Sequence, residues 1–172
     1  MRKGIIRATM ADKPLIDEEL AAFLQGGVSV HVASRGPTNV PNLVRGIGCR
    51  VSADRRQVTA FVLASQCGAL LAEIAMNGAI AFVGSLPSTH RTVQLKGTDA
   101  RTGAPLPGDE ALVARQRAAL VEDLVSMGYP PGMPRALLGG DWSEAVAITF
   151  TPSAAFVQTP GPGAGAPLGG KR

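Results

Sequence analysis

Six short segments of strand character follow one another along this chain, joined mostly by local turns and short helices, and that succession points to an antiparallel sheet. Val28-Ser29-Val30-His31-Val32 alternates with period two, as a half-buried strand does, and Ser34-Arg35-Gly36-Pro37 turns the chain. Leu43 to Val51 and Gln57 to Leu63 are rich in β-branched or large apolar residues around Ala53-Asp54-Arg55-Arg56, which predicts a hairpin of antiparallel neighbours. Gly46 and Gly48 lie inside the first of these, where glycine marks a bulge, a sharp bend or close approach by a ligand. Ala79 to Leu86 and Arg91 to Ala100 add two strands, and Ala145 to Phe150 the last, followed by Ser153 to Val157. The expected class is mainly β with α (α+β), a six-stranded antiparallel barrel with flanking helices.

The helices carry their own signals. Asp17 is an N-cap before Glu18 and Glu19, Gln25-Gly26-Gly27 supplies the stop, and Leu20, Phe23 and Leu24 face the core. Ser65 is expected to cap a short helix to Met76, ended by Asn77-Gly78. Pro107-Gly108-Asp109 opens a longer amphipathic cover carrying Val113 and Leu120, closed by Gly128. Residues 1–157 read as one domain, long enough to build its own core. Residues 158–172 read as a Gly/Pro-rich tail, extended or mobile and unsuited to a regular ladder.

Composition excludes several classes. The net charge of +4 is scattered along the chain, and one Tyr, one Trp and five Phe give no stacking platform, so a small phosphorylated ligand is expected rather than nucleic acid. The longest apolar stretch, Gly68 to Met76, is broken by Glu73 and is too short to span a bilayer. Arg7, Asp12 and Lys13 interrupt any leader-like apolar run, which predicts a cytoplasmic protein. Cys49 and Cys67 form no CxxC pair and read as buried free thiols. With only His31 and His90, and no HxxxH or HExxH, no metal site and no catalytic triad is assigned, and the catalytic residues stay unknown. His31 reads as a hydrogen-bonded structural histidine. Trp142 reads either as core or dimer contact or as a cover over a ligand.

Arg45, Arg50, Ser65, Gln66, Arg91, Thr92 and Gln94 stand at strand ends and beside one helix start, residue types that together can hold a phosphate. The order helix, strand, Leu43-Val44-Arg45-Gly46-Ile47-Gly48-Cys49-Arg50, strand, helix ending Asn-Gly, strand, then His90-Arg91-Thr92-Val93-Gln94-Leu95-Lys96-Gly97 resembles the pyridoxamine 5'-phosphate oxidase-like family over Leu15 to Ala100. The resemblance implies an FMN-binding split β-barrel, a homodimer with the cofactor cleft at the subunit interface, and flavin-mediated hydride transfer to or from a small-molecule substrate.

It also implies that Arg45 and Arg50 contact the FMN phosphate, Ser65 and Gln66 add hydrogen bonds, and Arg91, Thr92 or Gln94 sit near the ribityl chain or ring. Five positions place two side chains on opposite faces of an ideal strand, so Arg45 and Arg50 reach one phosphate only if the Gly46/Gly48 region bends. Two departures keep a second reading open. Ser65 is followed by Gln66, Cys67 and Gly68 instead of basic residues, and Arg91-Thr92 stands where the family has Arg-Gln. The alternative is a non-catalytic barrel that holds flavin or haem, or a cofactor-free dimeric scaffold.

Overall fold

A computed structural model describes residues 13–168. The reading of Arg7 and Asp12 against a leader lies outside the described residues. Helix α1 (Glu18–Gln25) begins where the sequence places it, with the Asp17 carboxylate accepting the Leu20 N–H at 2.8 Å. Leu20, Ala21 and Leu24 are buried. The strands are β1 (Ser29–Arg35), β2 (Pro41–Arg45), β3 (Gly48–Val51), β4 (Val58–Leu63), β5 (Ile80–Leu86), β6 (Arg91–Gly97), β7 (Arg101–Gly103), β8 (Ala145–Phe150) and β9 (Ala154–Val157). Helix α2 (Gly68–Asn77) separates β4 from β5, and α3 (Asp109–Ser126) and α4 (Gly132–Leu137) separate β7 from β8.

The nine strands form two antiparallel sheets, ordered β2-β1-β5-β6-β9 and β3-β4-β8-β7. The six-strand count is therefore corrected, and the barrel is split into a five-stranded and a four-stranded sheet. Short β7 and β9 add two strands, and the third comes from one segment that divides between the sheets. Leu43 to Val51 was expected as a single strand beside Gln57 to Leu63, but only Gly48–Val51 pairs there, whereas Pro41–Arg45 pairs with β1. At the junction the Gly46 N–H donates to the Val30 carbonyl at 2.9 Å and the next N–H, of Ile47, donates to Phe61 at 2.7 Å. The backbone thus changes sheets between two consecutive residues. A Cβ on Gly46 would lie 2.5 Å from Val30 Cγ1, so the crossover demands glycine.

Between the sheets lies an apolar core in which Phe82, Phe150, Leu95, Ile148 and Val32 are fully or almost fully buried, joined by Leu70 and Ile74 of α2. Each such large side chain contributes about 1.5–3 kcal/mol relative to exposure. A second cluster, Ile47, Phe61, Leu63, Val113 and Ala147, seats α3 on the outer face of the four-stranded sheet. Trp142 packs here, 5.7 Å from the Phe61 ring, in the core role. The buried Gln116 side chain fastens α3, accepting the Cys49 N–H at 2.9 Å and donating to the Cys49 carbonyl at 2.7 Å. β3 and β4 pair as the antiparallel neighbours expected around the hairpin loop, with Val51 opposite Val58.

Two local expectations are revised. Ser65 makes no cap: it sits in a 3-10 turn, Ala64–Gln66, and α2 starts after Cys67 without a side-chain cap. Gly78 ends α2 in the left-handed region at φ 65°, as its position predicts. The tail forms no regular strand, but it folds back on β9 through an isolated bridge, Phe156 opposite Pro167. Val157 donates to Ala166 at 2.9 Å, Gly165 to Val157 at 2.7 Å and Leu168 to Ala155 at 2.8 Å, so the chain doubles back along β9. Its turn lies at residues 158–164, where glycine and proline suit a tight reversal.

Candidate functional site

Register and the alternation of side chains divide the five-stranded sheet into an inner face, carrying Val30, Val32, Phe82 and Leu95, and an outer face left half-exposed. Along that outer face the pairings Arg45 with His31, His31 with Val83, Val83 with Gln94 and Gln94 with Phe156 make one continuous row. The neighbouring row carries Ser29, Ser85 and Thr92. Arg45, Thr92 and Gln94 are thereby gathered on one surface by strands far apart in sequence.

Hydrogen bonds fix this polar strip. Arg45 Nη1 donates to Ser29 Oγ at 3.0 Å, and the Ser85 and Thr92 hydroxyls are 2.7 Å apart. The folded-back tail reinforces the far edge: Gln158 N–H donates to the Thr92 carbonyl at 2.8 Å, and Thr92 N–H donates to Thr159 Oγ1 at 3.0 Å. Arg45 has only a neutral partner here, so its charge is uncompensated among the described residues.

His31 is not the hydrogen-bonded histidine the sequence suggested. Its half-buried ring has no hydrogen-bond partner among the described residues, and burial, then the adjacent Arg45 guanidinium, push its pKa below the usual imidazole value. The ring stands neutral at neutral pH, free to donate or accept at the centre of the row.

The other four residues lie elsewhere. Arg50 points from β3 toward α3, where its Nε is 2.8 Å from Asp109 Oδ1, a carboxylate only 3% exposed. Its Nη2 reaches the Thr59 hydroxyl at 3.5 Å. Ser65 and Gln66 are exposed on the turn before α2. Arg91 pairs with Glu19 at 2.9 Å and stacks over the Phe23 ring at 4.3 Å. Arg91 and Thr92 line a cleft of about 520 Å³ between the start of α1 and the tail, with Lys13, Asp17, Thr159 and Leu168 on its walls. The bend required by the Arg45 and Arg50 spacing is present, but each guanidinium has its own partner, Arg45 the Ser29 hydroxyl of its own sheet and Arg50 the Asp109 carboxylate of α3.

Sequence reasoning missed Asp109 as the counter-charge of Arg50, because an acid in a helix first turn reads as a favourable surface residue. It also missed Ser29 and Ser85, whose alternation with Val30 and Gly84 was the available signal. Cys49 and Cys67 are free and buried as expected, and burial raises the Cys49 thiol to about 12. No group of three or more His, Cys, Asp or Glu residues suited to a metal occurs among the described residues. No described helix is long and apolar enough to cross a membrane.

Comparison with known proteins places the fold. No family model and no curated protein matches the chain. HupZ of Group A Streptococcus superposes with a TM-score of 0.53 at 17% identity, over 88% of this chain and 98% of that one. An F420 reductase superposes with a TM-score of 0.50 at 14% identity, over 81% and 98%. A Clostridium acetobutylicum protein of the pyridoxinephosphate oxidase family, related to general stress protein 26, covers 83% and 89% at 17% identity with a TM-score of 0.46. The first two establish likeness of fold.

Proposed function

From the fold it shares with the pyridoxamine 5'-phosphate oxidase-like proteins, we propose that the chain is an FMN-binding oxidoreductase acting as a homodimer. The cofactor lies against the outer face of the five-stranded sheet, where a second copy completes the cleft. The observation that carries this reading is the row Arg45, His31, Val83, Gln94, beside Ser29, Ser85 and Thr92. It combines one uncompensated cation, several hydroxyls, a carboxamide and the apolar side chain of Val83. A phosphorylated, polyhydroxylated, flat cofactor requires those groups. An F420 reductase of the same fold supports a redox role.

In this arrangement Arg45 holds the phosphate, and the exposed Ser65 and Gln66 add neutral hydrogen bonds from the turn before α2. Thr92 and Gln94 bond the ribityl chain or the ring edge, and Arg91 orders the adjoining cleft. Arg50 joins only if Asp109 yields it. When bound, FMN supplies hydride transfer, and the protein orients the small-molecule substrate and excludes water. Neutral His31 offers a hydrogen bond rather than a charge to whatever lies over it.

A second reading rests on a specific observation. Because Asp109 neutralises Arg50, the phosphate anchor is weaker than the resemblance implies, which favours a non-catalytic barrel that carries flavin or haem, or none. The absorption spectrum of freshly purified protein separates the readings. A flavin spectrum bleached by NAD(P)H supports the oxidoreductase. A flavin spectrum inert to every hydride donor, a haem band or a colourless protein that ignores added FMN defeats it.

A further inference from the structure

We infer that a pocket beside the proposed cofactor row, on the same outer sheet face, holds the substrate, and that this substrate is a small, flat organic carboxylate anchored by Arg35. The ligand's role as substrate rests on the cofactor reading, whereas its binding does not.

The register places the pocket. The pairings Leu43 with Ala33, Ala33 with Ala81, Ala81 with Lys96 and Lys96 with Ala154 make a second row across the outer face, next to the row of Arg45, His31, Val83 and Gln94. Side chains on one face of a strand repeat about every 7 Å, so a molecule lying on Ala33 and Ala81 touches a flat molecule lying on His31 and Val83. Alanine keeps the middle of the second row low between longer side chains. A cavity of about 480 Å³ results, floored by Ala33 and Ala81 and walled by Arg35, Asn39, Lys96 and Thr98. Such a volume suits a small ligand.

Charge selects the ligand. No aspartate or glutamate lines this cavity, whereas Arg35 and Lys96 both do, and neither forms an ion pair among the described residues. Both side chains are exposed, so their N–H groups are open to a molecule arriving from solvent. Arg35 is the fixed one. Its Nη1 donates to Asn39 Oδ1 at 2.5 Å, and the loop holds Asn39 in turn through its N–H to the Gly36 carbonyl at 3.0 Å. That bond occupies one end of the guanidinium and leaves the edge formed by Nε and Nη2 for the two oxygens of a carboxylate. Lys96, with Nζ 5.2 Å from the Phe156 ring centroid, adds positive potential on the far wall. The alanine methyl groups give a flat ring an apolar bed.

The test is calorimetric titration of the full chain, as isolated and after incubation with FMN, with benzoate and with the neutral benzamide of the same shape. It is repeated on Arg35→Gln, Lys96→Gln and, on the other sheet, Arg101→Gln. Benzoate should bind about tenfold or more tightly than benzamide, Arg35→Gln should abolish that preference, Lys96→Gln should reduce it, and Arg101→Gln should keep it. Replacing exposed side chains leaves the fold in place, which melting curves check. Benzoate should also shift the absorption spectrum of bound flavin. Absence of saturable benzoate binding, equal binding of benzamide, or equal benzoate affinity in the parent and Arg35→Gln overturns the anion pocket whatever the flavin result. Benzoate bound through Arg35 without a change in the spectrum of bound flavin overturns the substrate role alone. A chain that takes up benzoate through Arg35 but no FMN defeats the cofactor reading, and the substrate role with it, and upholds the pocket.

Discussion

The Asp109 carboxylate, buried at the first turn of α3, lies 2.8 Å from Arg50 Nε on β3 and also accepts the Leu106 N–H at 2.7 Å. One carboxylate therefore ties the start of the covering helix to the second sheet and sets the charge available to a phosphate.

Asp109→Asn separates those two roles. It leaves Arg50 without its counter-charge and should cost about 1–3 kcal/mol, read as a lower urea midpoint. The same substitution should tighten FMN binding, since Arg50 becomes available. An unchanged midpoint would show that the pair does not hold α3.

Gly46 is the test of the sheet crossover. Gly46→Ala places a Cβ 2.5 Å from Val30 Cγ1 and 3.2 Å from the Phe61 carbonyl oxygen, whereas a Cβ at Gly103 meets nothing within 4 Å. Gly46→Ala should destabilise by about 1–3 kcal/mol and Gly103→Ala should be close to neutral. Equal denaturation curves for the two variants would argue against the close crossover.

Much of this architecture was legible because its signals are local. The Asp17 cap, the Gly78 stop, the turn between β3 and β4 and the apolar stripe of α3 each depend on residues within a few positions of one another. The crossover was only half legible. Gly46 and Gly48 announced a bend, but nothing in the run from Leu43 to Val51 says that its halves bond to different sheets, because both halves keep strand character. The tail was half legible for a related reason: glycine and proline argue against a regular strand, and none forms, but they also build the reversal that brings Ala166 and Leu168 back to bond β9 through an isolated bridge. At the site, residue types named the candidates, but partner choice across the fold decided their state. Arg45 meets a serine and Arg50 an aspartate, and neither partner lies near its arginine in sequence.

His31 gives the fold a pH dependence. Its folded pKa lies below the unfolded value of about 6.5, so the unfolded chain binds the proton more readily. Stability is therefore greatest above that value and falls as pH drops below it, through the depressed folded pKa. His31→Gln should flatten this part of the melting-temperature profile. The same slope in parent and variant would remove His31 as its source.

The claim that the outer face of the five-stranded sheet holds a phosphorylated cofactor is tested most directly by FMN titration of Arg45→Ala against Arg55→Ala. Arg55 sits in the hairpin turn between β3 and β4 and pairs with the exposed Glu18, a contact of small energetic weight. The account predicts that Arg45→Ala weakens FMN binding by about tenfold or more while Arg55→Ala leaves it nearly unchanged. Equal affinity in the two variants, with both folded, would contradict it.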